Sequence, residues 1–266
     1  MKEQTRNIFG TREWAEKTAN CVLGCAHNCR YCYAKTMAIR FHRKTSATWL
    51  EEKWALHQIK NVCRGRPAKV MFPSTHDITP ENIQVCLPAL EQMLTYGHHL
   101  LIVSKPHIEC IRTICDKFAA YQKSILFRFT IGSADNRVLE FWEPHAPTFE
   151  ERLAALRFAW QAGFQTSVSC EPMLDDNVAA VVSATAPFVT DSIWIGKANQ
   201  LRARLKINGY GDVETMKRAD ELIASQSDDR IRALYARFKD SPKIRWKETI
   251  KRVLGLELPH EAGLDI

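Results

Sequence analysis

Short apolar runs separated by longer amphipathic stretches recur along this chain, and that alternation constrains the fold more than any other feature. Runs at residues 18–23, 69–72, 100–104, 125–131, 165–170 and 192–195 read as strands. Several are rich in Val, Ile and Phe, as strands covered on both faces are. Helices fit between them. One is predicted over residues 80–96, with Thr79 as N-cap and Pro80 in the first helical position. Another is predicted over 149–162, capped by Thr148 and closed by Gly163. Strand–helix alternation predicts βαβ units and a parallel sheet. Six such units give an α/β fold, a partial (β/α)6 TIM-like barrel, whose chemistry gathers at the C-terminal ends of the strands. From Gly211 onward the pattern changes to helices alone, over 213–225, 229–239 and 243–254. The expected organisation is a core domain of residues 1–210 and a short helical C-terminal extension of residues 211–266 packed on it, its tail from Glu257 loosely held.

The 266 residues suffice for a full core, and 45% hydrophobic with 25% charged residues is ordinary for a globular protein. The net charge of +7 favours polyanionic partners weakly. Cationic residues are densest at 35–69 and in the C-terminal third, where they read as solvated helix faces or as a nucleic-acid track. The first ten residues are polar, with no apolar segment of the signal-peptide kind, and no run approaches the roughly 18 apolar residues of a membrane span. No membrane association is therefore expected. The nine cysteines are expected in a reducing cytoplasm, where thiolates serve metals or thiols sit buried as small hydrophobes.

Three of those cysteines, Cys25, Cys29 and Cys32, lie in one short loop directly after the first predicted strand. A closed structural metal site takes four protein ligands, whereas an iron–sulfur cluster with three thiolates keeps one iron open. A zinc site with Cys21 or His27 as fourth ligand is the other metal reading, and it would suit a non-catalytic nucleic-acid module. A disulfide framework would need an oxidising compartment. The spacing, with Tyr31 just before the last cysteine, resembles the signature of radical S-adenosylmethionine (radical SAM) enzymes. That resemblance implies a 4Fe-4S cluster on Cys25, Cys29 and Cys32, with SAM on the open iron. It also implies reductive cleavage of SAM to a 5′-deoxyadenosyl radical, and an electron donor such as flavodoxin or ferredoxin.

A longer resemblance narrows the family. The runs LLIVSK at 100–105, FRFTIG at 127–132 and EPHAP at 143–147, then Arg152 and Ala162-Gly163, are similar in order and spacing to spore photoproduct lyase and its relatives. Carried over position by position, Tyr31 and Tyr33 match two tyrosines flanking the last cluster cysteine, with Tyr33 a candidate catalytic residue. Lys105 and Thr130 resemble SAM-contacting positions; a lysine can pair with the methionine carboxylate and a hydroxyl can hydrogen-bond it. Ser74, Thr75 and Asp77 occupy the stretch that binds the methionine amino group, although Asp77 also reads as a turn residue before Thr79-Pro80. Glu171 is a candidate for the ribose hydroxyls, and Lys197, with Gly196 beside it, for SAM or substrate.

The departures limit what is inherited. The lyase carries a hydrogen-returning cysteine at the end of its second strand, where this chain reads Pro73-Ser74-Thr75-His76-Asp77. Cys170, at the end of the fifth predicted strand, is the candidate replacement if its thiol points into the barrel mouth; otherwise it is a buried strand cysteine. Three functions follow: a lyase-like radical SAM enzyme abstracting hydrogen, with nucleic acid as one candidate substrate; a radical SAM enzyme modifying a peptide or protein; and the zinc-binding nucleic-acid module.

Overall fold

A computed structural model describes residues 8–264. The expected absence of a leader segment falls largely on residues 1–7, outside the described residues. No helix among them is long and apolar enough to cross a membrane.

The chain begins with a tight turn at Gly10–Glu13, then β1 (Lys17–Thr18), β2 (Val22–Leu23), α1 (Tyr33–Arg40), β3 (Lys53–Trp54) and α2 (His57–Val62). A regular alternation follows: β4 (Lys69–Phe72), α3 (Ile83–Thr95), β5 (His99–Ser104), α4 (Ile108–Lys117) and β6 (Ile125–Thr130). It continues through α5 (Asn136–Trp142), α6 (Phe149–Gln161), β7 (Gln165–Cys170), α7 (Val178–Thr185) and β8 (Ile193–Ile195). The last part holds α8 (Leu201–Ile207), α9 (Val213–Ser225), α10 (Asp228–Phe238), β9 (Ile244–Trp246) and α11 (Glu248–Leu254). Seven strands form one parallel sheet in the order β1-β4-β5-β6-β7-β8-β9, so the α/β barrel-like expectation holds and the sheet is not closed.

Three local expectations are corrected. The first predicted strand divides: Lys17–Thr18 pairs with β4, while Val22–Leu23 turns away into an antiparallel pair with β3. Asn20 makes the break, because its side-chain oxygen accepts from the backbone of Ser74 and Thr75, both at 2.8 Å. The helix expected from Pro80 starts at Ile83, since the Asn82 side chain accepts from Thr79 N and organises a turn there. The stretch after Gly211 is not all helix. Ile244–Trp246 is a seventh strand paired with β8, and its alternation of buried Ile244 and Trp246 with exposed Arg245 is the period of a strand. Elsewhere the caps behave as expected, with the Thr148 hydroxyl accepting from Glu151 N at the start of α6.

Alternation along each strand sorts side chains into two layers. Val70, Phe72, Leu100, Ile102, Phe127, Val168, Ile193 and Ile195 face the helices in the main core. Met71, Leu101, Leu126 and Trp194 face inward and pack with Trp14 and Ala15. Above them lies Arg128, wholly buried, its Nε donating to Ser167 Oγ at 2.9 Å and its guanidinium 4.8 Å and 5.3 Å from the Trp14 and Trp194 rings.

The two sheet edges are bridged by the ends of the described chain. Lys247, directly after β9, places Nζ 2.6 Å from Glu13 Oε1, 2.9 Å from the Gly10 carbonyl and 4.2 Å from the Trp14 ring. Glu248 N donates to Glu13 Oε2 at 3.2 Å and Gly263 N to Arg12 O at 2.8 Å, the second bond tying the expected loose tail down near its end. Burial outweighs the Lys247 charge and pushes the Glu13 carboxyl up to about 7. A carboxyl whose folded pKa exceeds its unfolded value binds the extra proton in the native state, so stability falls as pH rises from about 4.5 to about 7. Urea titrations across that window should show this loss with a slope of up to about 1.4 kcal/mol per pH unit. Glu13→Gln should flatten it, and an unchanged slope in the variant would refute the assignment.

A second buried pair joins α6 to the residue that follows α5. Arg152 of α6 and Glu143 are both fully buried, with Nη2 to Oε2 at 2.6 Å, and Arg152 also donates to the carbonyls of Pro147 and Thr130 at 2.8 and 3.2 Å. Removing one partner leaves an uncompensated charge, so Arg152→Ala should cost about 3–5 kcal/mol by urea denaturation. Replacing both residues by apolar ones of similar volume should recover a large part of that loss.

Candidate functional site

The three-thiol loop is held by backbone constraints that its sequence supplies. Gly24, at φ +115°, lets the chain pass Trp49, whose carbonyl would lie 2.8 Å from any added Cβ. Asn28 takes a positive φ of 48°, and its side-chain oxygen accepts from the buried Lys35 Nζ at 3.0 Å. Cys32 then serves as N-cap of α1, its sulfur accepting from Lys35 N at 3.4 Å. Asn208, after α8, donates to the carbonyls of Arg30 and Cys32 at 2.9 and 3.0 Å. The loop is thus fixed from both flanks.

Cys25, Cys29 and Cys32 all line one cavity of about 600 Å³ at the C-terminal edge of the sheet. The same cavity is lined by Tyr31, Tyr33, Ser74, Thr75, Asp77, Lys105, Thr130, Glu171 and Lys197, so the expected cofactor residues converge on it. Burial pushes all three thiols up, and the neighbouring thiols and Asp77 push Cys25 further. Two buried thiols and the half-buried Cys32, all resisting ionisation on their own, are a donor set that metal coordination completes, because a coordinated thiol is deprotonated outright. The residues therefore fit a three-thiolate iron–sulfur cluster, with side chains left over for a ligand on an open iron.

Asp77 is the hub of the polar wall. Its Oδ1 accepts from Lys105 N at 2.9 Å and Ser104 Oγ at 3.1 Å, and its Oδ2 lies 3.2 Å from Lys105 Nζ and 2.9 Å from His27 Nδ1. Burial alone would raise this carboxyl, but the Lys105 and His27 charges hold it well below the usual range. Burial likewise acts to lower Lys105, and Asp77 together with Cys29, Tyr31 and Glu143 more than reverses it. His27 continues to His107, Nε2 to Nε2 at 2.9 Å. Cys25, His27 and Asp77 also bring three potential metal-ligand atoms within 4.8 Å of one another.

The remaining expected residues take definite places. The Tyr31 hydroxyl donates to Glu143, which Arg152 holds from behind. The Tyr33 hydroxyl donates to the Ser74 carbonyl at the cavity wall, and burial pushes it up. Glu171 sits 3.6 Å from Lys247 and is also pushed up by burial. Lys197 is held by its backbone N on Thr249 Oγ1 at 3.1 Å, and its Nζ lies 3.6 Å from Asp228. Cys170 is the exception and corrects the expectation of a thiol at the barrel mouth. Along β7 the inward positions are Ser167 and Ser169, so Cys170 points outward into the main core, 3.8 Å from the Gly132 carbonyl. Its thiol is fully buried and its pKa is raised by that burial.

Sequence reading missed Arg204 and Lys247, which complete the walls, and Asn20 and His107, which hold Ser74 and His27 from behind. Lys247 had a signal in the strand-like Ile244-Arg245-Trp246 that precedes it, whereas nothing local marks Asn20 or His107.

No known family model matches the chain. A relative of unassigned role, the uncharacterized protein ORF301 of Acidianus two-tailed virus, is 25% identical over 170 residues, spanning 59% of this chain and 56% of that protein. Among solved structures, a mutant spore photoproduct lyase with bound AdoMet and dinucleoside spore photoproduct superposes with a TM-score of 0.61 at 16% identity, over 92% of this chain and 80% of that one. SuiB of Streptococcus suis bound to S-adenosylmethionine superposes with a TM-score of 0.53 at 9% identity, over 93% of this chain and 54% of that one. The chain thus shares its fold with a spore photoproduct lyase and with SuiB, both solved with S-adenosylmethionine bound.

Proposed function

We propose that this chain is a radical SAM enzyme that abstracts hydrogen from its substrate. The observation that carries this reading is the convergence of three thiols, Asp77, Lys105 and Thr130 on one cavity at the C-terminal edge of a parallel sheet. Bound there, a 4Fe-4S cluster and SAM would supply one-electron sulfonium cleavage and a 5′-deoxyadenosyl radical. Cys25, Cys29 and Cys32 would hold the cluster. Lys105 and Thr130 would bind the SAM carboxylate, with Ser74, Thr75 and Asp77 toward its amino group, Glu171 toward the ribose and Lys197 at the rim. Tyr31, locked on Glu143, supports the loop from below. Tyr33 stands at the wall between the thiols and Glu171, and with Cys170 facing away it is the candidate for returning hydrogen to the product.

A nucleic-acid substrate is supported by the dinucleoside bound in the lyase neighbour and by the excess of basic residues. A peptide substrate is the alternative, since SuiB is also found bound to its precursor peptide SuiA. A mononuclear metal site on Cys25, His27 and Asp77 is a second reading, favoured by their mutual approach. An electron donor such as flavodoxin or ferredoxin belongs to the first reading alone.

Anaerobic reconstitution with iron and sulfide should give a brown protein, and dithionite with SAM should release 5′-deoxyadenosine. The Cys25/Cys29/Cys32→Ala triple variant should lose both. Lys105→Ala should weaken SAM binding about 10- to 100-fold, the worth of a buried charge-assisted hydrogen bond. Protein purified without oxygen that contains one zinc and neither iron nor sulfide would overturn the reading in favour of the mononuclear site.

A further inference from the structure

A second cavity of about 410 Å³ opens beside the first and shares Phe9, Lys197, Asn199 and Glu248 with it, adding Thr249 and Arg252. Its walls are built rather than incidental. The 196–199 loop is pinned by Lys197 N on Thr249 Oγ1 and by Ala198 N on Gln226 Oε1 at 2.7 Å. Glu248 is held by its backbone N on Glu13 and is 7% exposed, yet its Oε2 has no hydrogen-bond partner among the described residues. A buried carboxylate oxygen without a partner is costly unless a ligand supplies a donor. Phe9, by contrast, is 60% exposed and puts an aromatic ring at the rim that the two cavities share. Lys197 and the exposed Arg252 line the same space, and the Lys197 Nζ lies 3.6 Å from the exposed Asp228.

These groups ask for three properties in one ligand. A bare phosphate would satisfy the two cations and be repelled by Glu248, and a simple amine would do the reverse. A nucleotide satisfies all of them: phosphate on Arg252 and Lys197, the base stacked on Phe9, and a base amino group donating to Glu248. The volume lies within the range of small-ligand sites. We infer that this second cavity is a subsite for the nucleotide flanking the one that reacts, so that a nucleic-acid strand runs from the main cavity across Phe9 to Arg252. This inference rests on the proposed radical SAM function and selects nucleic acid over peptide as its substrate.

The test uses full-length reconstituted protein with SAM under anaerobic conditions and a short fluorescein-labelled single-stranded oligodeoxynucleotide, read by anisotropy at several salt concentrations. Phe9→Ala should weaken binding about 5- to 100-fold, the loss of one stacked base. Arg252→Ala should weaken it evenly across sequences and reduce the salt slope by about one. Substrate-independent formation of 5′-deoxyadenosine should stay at the wild-type level in Arg252→Ala. Wild-type affinity in both variants, with circular dichroism showing them folded, would overturn the subsite. So would absent oligonucleotide binding, or tighter binding of an acidic peptide of equal charge that the same substitutions weaken. Failure of the wild-type protein to form 5′-deoxyadenosine would count against the radical SAM reading instead, and the anisotropy measurements judge the subsite separately.

Discussion

One buried carboxylate organises the polar end of this molecule. Asp77 follows β4, yet it engages the main chain and side chains at the end of β5 and reaches His27 in the thiol loop. Buried charges persist only when paired and hydrogen-bonded, and Asp77 has two cationic or potentially cationic partners and two further donors. The carboxylate therefore ties three separate segments to one geometry. Loss of any donor would leave the others facing an under-compensated charge at the centre of the cavity.

Around that point the sheet divides its inner space by polarity. Met71, Leu101, Leu126, Trp14 and Trp194 fill one level, Arg128 spans the next, and Lys105, Thr130, Ser169 and Glu171 line the opening. Because strand side chains alternate, each residue of the opening is positioned by outward neighbours buried against helices. The Cys170 thiol is one of those supporting neighbours. Its distance from the chemistry follows from the register that places Ser169 and Glu171 inside.

The sequence made the site legible to different depths. The thiol loop could be read from its own spacing, Lys105, Thr130 and Asp77 from what the family resemblance implies for their positions, and the parallel α/β core from alternation. The partners of Glu13 and His27 could not be read in the same way. Lys247 lies 234 residues from Glu13, and His107 lies 80 residues from His27, so their pairings depend on strand order that no local pattern encodes. The seventh strand was obscured because three residues, Ile244–Trp246, stand between helices and give too short a run for periodicity to decide. The divided first strand depended on one side chain, Asn20, competing for backbone donors 54 and 55 residues away.

The meeting of Gly10 and Glu13 with Lys247 also orders events in the making of this protein. Contacts that close a loop of more than two hundred residues pay their entropy late, after the nearer strands have paired. During synthesis the strands from β1 to β8 can associate while the partner of Glu13 is still unmade. Trp14 and its neighbours then wait at an unsealed edge, and the cavity wall bearing Lys247 and Glu248 is added last. Assembly of the binding chamber is thus a report that the chain has been made as far as β9.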